Sequence, residues 1–244
     1  MSLFIGVLSS AIFFLLGFAT RSLYNYFLSR RPAMRVWKLA RNAEVTIITA
    51  SAKDRDDEEF TITVYPAEYT AATELAAFIT GPLKCRVKKI LAAADHPLDA
   101  TLEDNMMVIG GPVHNRVTKL LLERMTIDYY FDGYSLVHRP TDERYNARDD
   151  GTSIVEDYGL IVLGKNPFND RSRVILLMGC RTYGCIAAAR MLIGDKVREV
   201  SRNLADTSEA CLVVQTDVVG LYAGRPRLVV AAATGPNESK SISG

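Results

Sequence analysis

The stretch RVILLMGCRTYGCIAAAR, residues 173–190, carries the pattern that decides the fold class. Its apolar start predicts a buried strand over residues 173–178, and its alanine-rich end predicts the beginning of a helix over residues 185–202. Gly179 and Gly184 lie between the two and mark a tight turn. A buried strand that leads directly into a helix is typical of an α/β sheet whose faces are covered by helices.

A second junction of this kind lies in NMMVIGGPVHNRVT, residues 105–118. It predicts a strand at 105–109, a glycine turn and a helix that ends near residue 125. Residues 134–163 resemble a long hairpin with a polar, mobile tip at 139–151. Further patterns predict a helix at 67–80 and strands at 44–50, 60–65, 127–131, 159–163, 211–219 and 227–233. Together these elements predict a three-layer, Rossmann-like α/β domain with a partly antiparallel sheet.

The N-terminal region has a different character. Its first 43 residues contain no Asp or Glu, and residues 3–20 form an uncharged, mostly apolar run. About 20 such residues span a bilayer as a helix, so the run predicts a single transmembrane helix. Basic residues follow the run and none precedes it, which predicts a cytoplasmic C-terminal domain and an inner (cell) membrane location. These residues are Arg21, Arg30, Arg31, Arg35, Lys38 and Arg41.

Two other interpretations of the apolar run remain open. A cleaved signal peptide would carry its basic residues before the run, and a buried core helix seldom extends over 18 apolar residues into a basic cluster. Gly6 and Ser10 are spaced as in small-residue contacts between membrane helices, which favours a homo-oligomer. We therefore divide the chain into a transmembrane helix (1–21), a basic juxtamembrane connector (22–43), a cytoplasmic domain (44–233) and a disordered polar tail (234–244).

Composition narrows the possible ligands. The chain has 29 basic and 28 acidic residues, and the domain beyond the basic connector is mildly acidic, which argues against binding of duplex nucleic acid. The four cysteines show neither a CxxC pair nor a metal-binding spacing with His, so we expect reduced thiols and no metal or cofactor. Neither GxGxxG nor GxxxxGK occurs, so dinucleotide or nucleoside-triphosphate chemistry is not indicated.

The glycine turns predict a ligand site. In open α/β sheets, ligands bind beyond the carboxyl ends of the strands, and backbone amides at helix N-termini attract anions. Both glycine turns lie at such places, and the turn after the first strand is a third candidate. The predicted ligand-binding residues are Ser51, Lys53, Gly110, Gly111, Asn115, Arg116, Arg181, Thr182, Tyr183 and Gly184.

The whole architecture resembles the membrane effectors of prokaryotic antiviral systems. An N-terminal membrane helix, a basic connector and a domain with ligand loops at Ser51, at 110–116 and at 179–184 are similar to the CRISPR-associated membrane channels with a CARF domain. The paired glycine loops also resemble SLOG-type sensors. The resemblance implies a nucleotide-like second messenger, such as a cyclic oligonucleotide, and an oligomer that acts on the membrane in antiviral defence. The charged residues 54–59 and the long central hairpin depart from a minimal CARF domain.

Two other function classes stay open. One is a membrane-tethered enzyme that processes a nucleotide, with His114, Cys180 or Asp157 as candidate groups. The other is a membrane scaffold that recruits a protein partner and holds no ligand. Because none of the three candidate groups stands in a recognisable catalytic arrangement, we predict no catalytic residue.

Overall fold

The computed structural model describes residues 2–53, 62–93, 101–204, 209–233 and 239–241. Side chains are described for residues 12–24, 26, 27, 30–52, 63–93, 101–204 and 209–232. The helices are α1 (Ser2–Asn25), α2 (Arg31–Trp37), α3 (Pro66–Thr80), α4 (Arg116–Leu122), α5 (Thr182–Met191) and α6 (Lys196–Asn203). The strands are β1 (Glu44–Thr49), β2 (Ser51–Lys53), β3 (Ile62–Val64), β4 (Arg86–Ala92), β5 (Asn105–Ile109), β6 (Tyr129–Asp132), β7 (Ser135–His138), β8 (Glu143–Tyr145), β9 (Arg148–Asp149), β10 (Ile154–Asn166), β11 (Asn169–Gly179), β12 (Ala210–Val219), β13 (Tyr222–Ala223), β14 (Arg227–Ala233) and β15 (Ser239–Ser241).

The N-terminal region is helical. A π-helical turn, Tyr26–Arg30, joins α1 to α2. Pro32 lies in the first turn of α2, where its missing N–H is tolerated. None of the helices, taken over the described residues, combines the length and apolar character that a membrane crossing needs. The side chains of residues 3–11, half of the predicted membrane span, lie outside the described set.

One mixed sheet organises the rest of the chain. Its strand order is β15-β14-β12-β10-β11-β5-β1-β4. The strands β4, β1, β5 and β11 are parallel, and we call them the parallel half. From β11 onward, β10, β12, β14 and β15 pair antiparallel and form the antiparallel half. The predicted α/β fold with a partly antiparallel sheet is confirmed.

Side chains alternate between the two faces of this sheet and form two cores. Met107 and Leu177 belong to the first core, which α2, α3, α5 and α6 cover. Val108 and Leu176 belong to the second core. That face is covered by α4 and by a small antiparallel sheet, β6-β7-β8. The outer layer on the second face is therefore mostly strands, whereas the prediction of Rossmann-like layers implied helices there.

The end of the connector is part of the first core. Trp37 of α2 is fully buried, and its Nε1 donates a hydrogen bond to the Leu192 carbonyl oxygen at 3.1 Å. Its ring lies 5.8 Å from that of Phe78 in α3. Ala33 and Val36 are buried beside it. The packed domain therefore starts before residue 44, where we placed its boundary.

Three predicted elements differ in the structure. The single helix over 185–202 is wrong, because the chain turns between α5 and α6, where Gly194 has a φ of +59° that favours glycine. The strand predicted at 60–65 is shortened to β3, which pairs with β2 in a separate ribbon; residues 60 and 61 lie outside the described set. Residues 139–151, predicted as a mobile tip, contain β8 and β9, and β9 pairs with β10.

Two elements at the sheet edges were not predicted. Strand β4 carries three basic residues, Arg86, Lys88 and Lys89, in its first four positions and only a short apolar run after them, so its pattern was not recognised as a strand. The tail was predicted to be disordered, but Ser239–Ser241 form β15 and pair with β14. The remaining tail residues, 234–238 and 242–244, lie outside the described set.

Candidate functional site

Both glycine loops meet at one edge of the sheet. In the parallel half, β4 is added on one side of β1 and the next strand, β5, on the other side. The direction in which strands are added to the sheet therefore reverses at β1. Ligands of open α/β sheets bind at such a reversal, beyond the carboxyl ends of the strands. There the Gly110 amide donates to the Leu177 carbonyl oxygen at 2.8 Å, and the Ala50 amide donates to the Ile109 carbonyl oxygen at 2.8 Å. These bonds bring the loops that follow β1, β5 and β11 together.

A cavity of about 260 Å³ opens between the two loops, the start of α3 and the small sheet. Four predicted site residues line it: Gly111, Arg181, Thr182 and Tyr183. The predicted residues Ser51, Gly110, Asn115, Arg116 and Gly184 lie outside its lining, and the Lys53 side chain lies outside the described set. The further lining residues include Tyr65, Glu68, His114, Phe131, Tyr134, Cys180 and Cys185.

Asn115 has a structural role in the first loop. It is fully buried, and its Oδ1 accepts hydrogen bonds from the amides of Val117 at 3.0 Å and Thr118 at 3.3 Å. Its Nδ2 donates to the Ile109 carbonyl oxygen at 3.0 Å. Asn115 therefore caps the N-terminus of α4. The amides that we expected to bind an anionic ligand are already partly satisfied within the loop.

Asp157 has the same role in the second loop, although it comes from another strand. This fully buried residue of β10 accepts hydrogen bonds from the amides of Arg181 at 3.1 Å and Gly184 at 2.6 Å. Its Oδ1 also accepts from the Tyr158 amide at 2.8 Å. Burial raises the pKa of Asp157 to about 6, although the three amide hydrogen bonds favour its ionised form. The N-terminus of α5 is thus already occupied by a carboxylate.

Glycine is required where β10 and α5 approach each other. A Cβ on Gly184 would overlap the backbone carbonyl of Tyr158, and a Cβ on Gly159 would overlap the backbone carbonyl of Gly184. Gly111 in the first loop is different, because a Cβ there would meet nothing nearer than the Gly179 carbonyl oxygen at 3.9 Å. Gly184 therefore serves close packing, and Gly111 faces the cavity.

Glu68 is the buried acid of the cavity. It lies in the first turn of α3, and only 6% of it is exposed. Its Oε2 is buried and has no hydrogen-bond partner among the described residues, and burial raises the pKa of the carboxyl group. Sequence reasoning missed Glu68 because acidic residues are common in the first turn of any helix. An unpartnered buried oxygen of this kind is costly without a ligand or a proton to satisfy it.

Aromatic side chains form the wall and the rim. The Tyr65 hydroxyl lies 3.2 Å from His114 Nδ1, and their rings are 5.3 Å apart. The exposed Arg181 guanidinium stacks 3.8 Å from the centre of the Tyr134 ring. The cavity is therefore acidic inside, aromatic along its wall and cationic at its mouth.

The candidate catalytic groups are poorly suited to nucleophilic chemistry. Cys180 is buried, its Sγ donates to the Tyr145 carbonyl oxygen at 3.3 Å, and burial raises its pKa to about 12. Burial likewise raises the pKa of Cys185 well above that of a free thiol. Both are protonated thiols at neutral pH, whereas a nucleophile needs the thiolate. Over the described residues, no three His, Cys, Asp or Glu side chains are grouped so as to hold a metal ion.

Comparison with known protein families gives no matching family model, and comparison with curated protein sequences gives no match. Function therefore has to be inferred from the geometry of the cavity.

Proposed function

We propose that this protein is a membrane-anchored sensor. Its cytoplasmic domain binds a nucleotide-like small molecule in the cavity at the ends of β5 and β11, and it acts on the membrane as a homo-oligomer, in antiviral defence. The observation that carries the proposal is the buried Oε2 of Glu68, which has no hydrogen-bond partner among the described residues and lies at a cavity lined by aromatic side chains.

The chemistry of the cavity suits a nucleobase. The amino and ring N–H groups of a base can donate to Glu68 Oε2 and restore its missing hydrogen bond. Tyr65, Phe131 and Tyr134 offer aromatic surface against which a base can pack. Arg181 at the mouth can pair with a phosphate. This orientation places the base inside the cavity and the phosphate at its mouth. It is the reverse of the orientation that we expected from the sequence, in which backbone amides at the helix N-termini hold the phosphate.

The size of the cavity favours one nucleoside-sized group per chain. Its volume of about 260 Å³ lies near the lower end of ligand pockets, which hold roughly 300 to 1,000 Å³. A cyclic oligonucleotide would therefore contact more than one copy of the chain, with one base in each cavity. Such a ligand would favour association of the copies, because it binds the oligomer better than the monomer.

Helix α3 connects the cavity to the membrane-proximal region. Glu68 lies in its first turn, and Phe78 near its other end packs on Trp37 of α2. Helix α2 continues through the π-helical turn into α1. A ligand that shifts α3 can therefore change the position of α2 and α1, provided that it binds the two arrangements with different affinities.

The membrane part of the proposal is supported by α1. Phe13, Phe14 and Phe18 are 73%, 74% and 66% exposed. Large apolar side chains exposed in a row need a lipid or protein environment. In the sequence, residues 3–20 form an uncharged, mostly apolar run close to the length that a bilayer needs, and the basic residues after them favour a cytoplasmic domain.

The test is nucleotide binding to the purified full-length protein by calorimetry, with mononucleotides and cyclic dinucleotides as probes. We expect Glu68→Gln to weaken binding about tenfold or more, since a hydrogen bond to a charged group contributes roughly 1.5 to 3 kcal/mol. Glu123→Gln, an exposed residue at the end of α4, is the matched control and should bind as the wild type does. Wild-type protein that binds none of these nucleotides would contradict the proposal.

A further inference from the structure

A second cavity shares no lining residue with the cavity at the glycine loops, and its charged side chains are all basic. Its volume is about 270 Å³, and it opens between the connector and α6. Arg31 and Arg35 of α2 line one side, and Arg198 and Arg202 of α6 line the other. Phe27 of the π-helical turn completes the wall. All four arginines are exposed.

The packing of two helices holds these arginines together. Arg31 and Arg35 are four residues apart on α2, and Arg198 and Arg202 are four residues apart on α6, so each pair shares a helix face. The helices are joined in the first core, where Val36 packs in the same cluster as Val197 and Val200. Because these valine side chains are buried in the same cluster, the two helices are fixed, and the two arginine pairs are held facing each other.

No carboxylate neutralises this cluster within the described residues. None of the four arginines forms a salt bridge there. The two acids of the α6 region are engaged elsewhere, since Glu199 pairs with Lys196 at 2.8 Å and Asp195 with Arg225 at 2.7 Å. Like charges four residues apart on a helix repel. Two such pairs across one cavity are therefore destabilising until an anion enters.

We infer that this cavity binds a phosphate group, and that its occupant in the anchored protein is the headgroup of an anionic phospholipid. Guanidinium groups bind phosphate oxygens through paired hydrogen bonds. Phe27 in the cavity wall is 53% exposed, and Tyr24 and Tyr26 just before it in the chain are 65% and 42% exposed. Exposed aromatic side chains next to basic residues suit the headgroup layer of a membrane. The site is separate from the Glu68 cavity and does not require a ligand there.

This site differs from an ordinary basic flank of a membrane helix. Such a flank consists of residues next to the span, whereas half of this site comes from α6, which is remote in sequence. Occupation by a headgroup would fix α6, and with it the domain, against the membrane surface. The sensor domain would then have a defined orientation toward the bilayer.

The test uses the full-length protein in neutral detergent and follows thermal unfolding through Trp37, the single tryptophan, which lies in α2. The probes are phosphatidic acid, phosphatidylcholine and inorganic phosphate. We expect phosphatidic acid to raise the Tm and phosphatidylcholine to leave it unchanged. The double variant Arg198→Gln/Arg202→Gln should weaken the apparent affinity for phosphatidic acid by about tenfold or more. It leaves the connector intact, so insertion into membranes is not affected.

The matched control is Arg148→Gln/Arg171→Gln, which removes the same charge from exposed positions elsewhere and should respond as the wild type does. The variant Arg198→Lys/Arg202→Lys keeps the positive charge and should retain part of the affinity for phosphatidic acid. It therefore tests the site even if the glutamine variant fails to fold. Stabilisation by inorganic phosphate alone would support a phosphate site but overturn the lipid as its occupant. No effect of either anion, or an equal loss in the control, would overturn the inference. Nucleotide binding should be unchanged in all these variants, so failure of one site is distinguishable from failure of the other.

Discussion

The two glycine loops look alike in sequence but are completed in different ways. In the first loop, the cap of α4 is Asn115, which belongs to the loop itself. In the second, the cap of α5 is Asp157, which comes from β10 in the antiparallel half. In both, the helix N-terminus is occupied before any ligand arrives. In the proposed ligand site, the contacts would therefore come from side chains around the loops, above all Glu68 and Arg181.

The sharpest difference between the loops concerns their glycines. We expect Gly184→Ala to destabilise the fold by more than about 4 kcal/mol, because the new Cβ meets backbone atoms of Tyr158 that cannot move without shifting β10. Gly111→Ala should cost less than about 1 kcal/mol, since its Cβ would make only ordinary contact. Urea unfolding of both variants measures the contrast, and equal losses would contradict it.

Loss of the helix cap should likewise lower the free energy of unfolding more in the second loop than in the first. Asp157→Ala leaves three backbone amides without their acceptor, and we expect a loss of about 3 kcal/mol. Asn115→Ala removes two amide bonds and one carbonyl bond, all to a neutral side chain, and should cost about 2 kcal/mol. Chemical denaturation gives both values. A larger loss for Asn115→Ala would show that the cap from the neighbouring strand is the weaker one.

Stability should depend on pH through Asp157. Its folded pKa of about 6 lies above its ordinary value of 3.8, so between these values the folded state binds more protons than the unfolded state. The free energy of unfolding should therefore fall, by about 1 to 2 kcal/mol, as the pH rises from about 4 to about 6, and then level off. Burial raises the pKa of Glu68 and adds a change of the same sign. The slope should be shallower in Asp157→Asn, and an unchanged slope in this variant would assign the effect to other groups.

The smallest effect on stability is expected at the mouth of the cavity. Arg181 is exposed and contacts the Tyr134 ring, so Arg181→Ala should change the free energy of unfolding by less than about 1 kcal/mol. Nucleotide affinity should fall about tenfold through loss of a phosphate contact. Calorimetry and thermal unfolding on the same samples separate the two effects. A stability loss as large as that of Asp157→Ala would make Arg181 a structural residue.

The sequence was most informative where the signal is local. Strand β5 and helix α3 were predicted to within a residue, because a continuous apolar run or a Pro and Gly pair delimits each of them. Asn115 could likewise be placed at a helix start, because it lies between the glycine turn and the predicted helix in the local sequence. The role of Asp157 depends on the pairing of β10 with β11, and the role of Glu68 depends on where α3 meets the loops. Such contacts between distant segments leave no mark in the local pattern.

Strand β4 has a consequence for how copies of the chain can associate. It is the outer strand of the parallel half, and Arg86 and Lys88 project from its exposed face. They pair with Glu44 at 3.2 Å and Asp104 at 2.8 Å. A charged edge discourages the addition of a further strand, which protects a sheet from aggregation. Extension of the sheet from β4 into a second copy of the chain is therefore disfavoured.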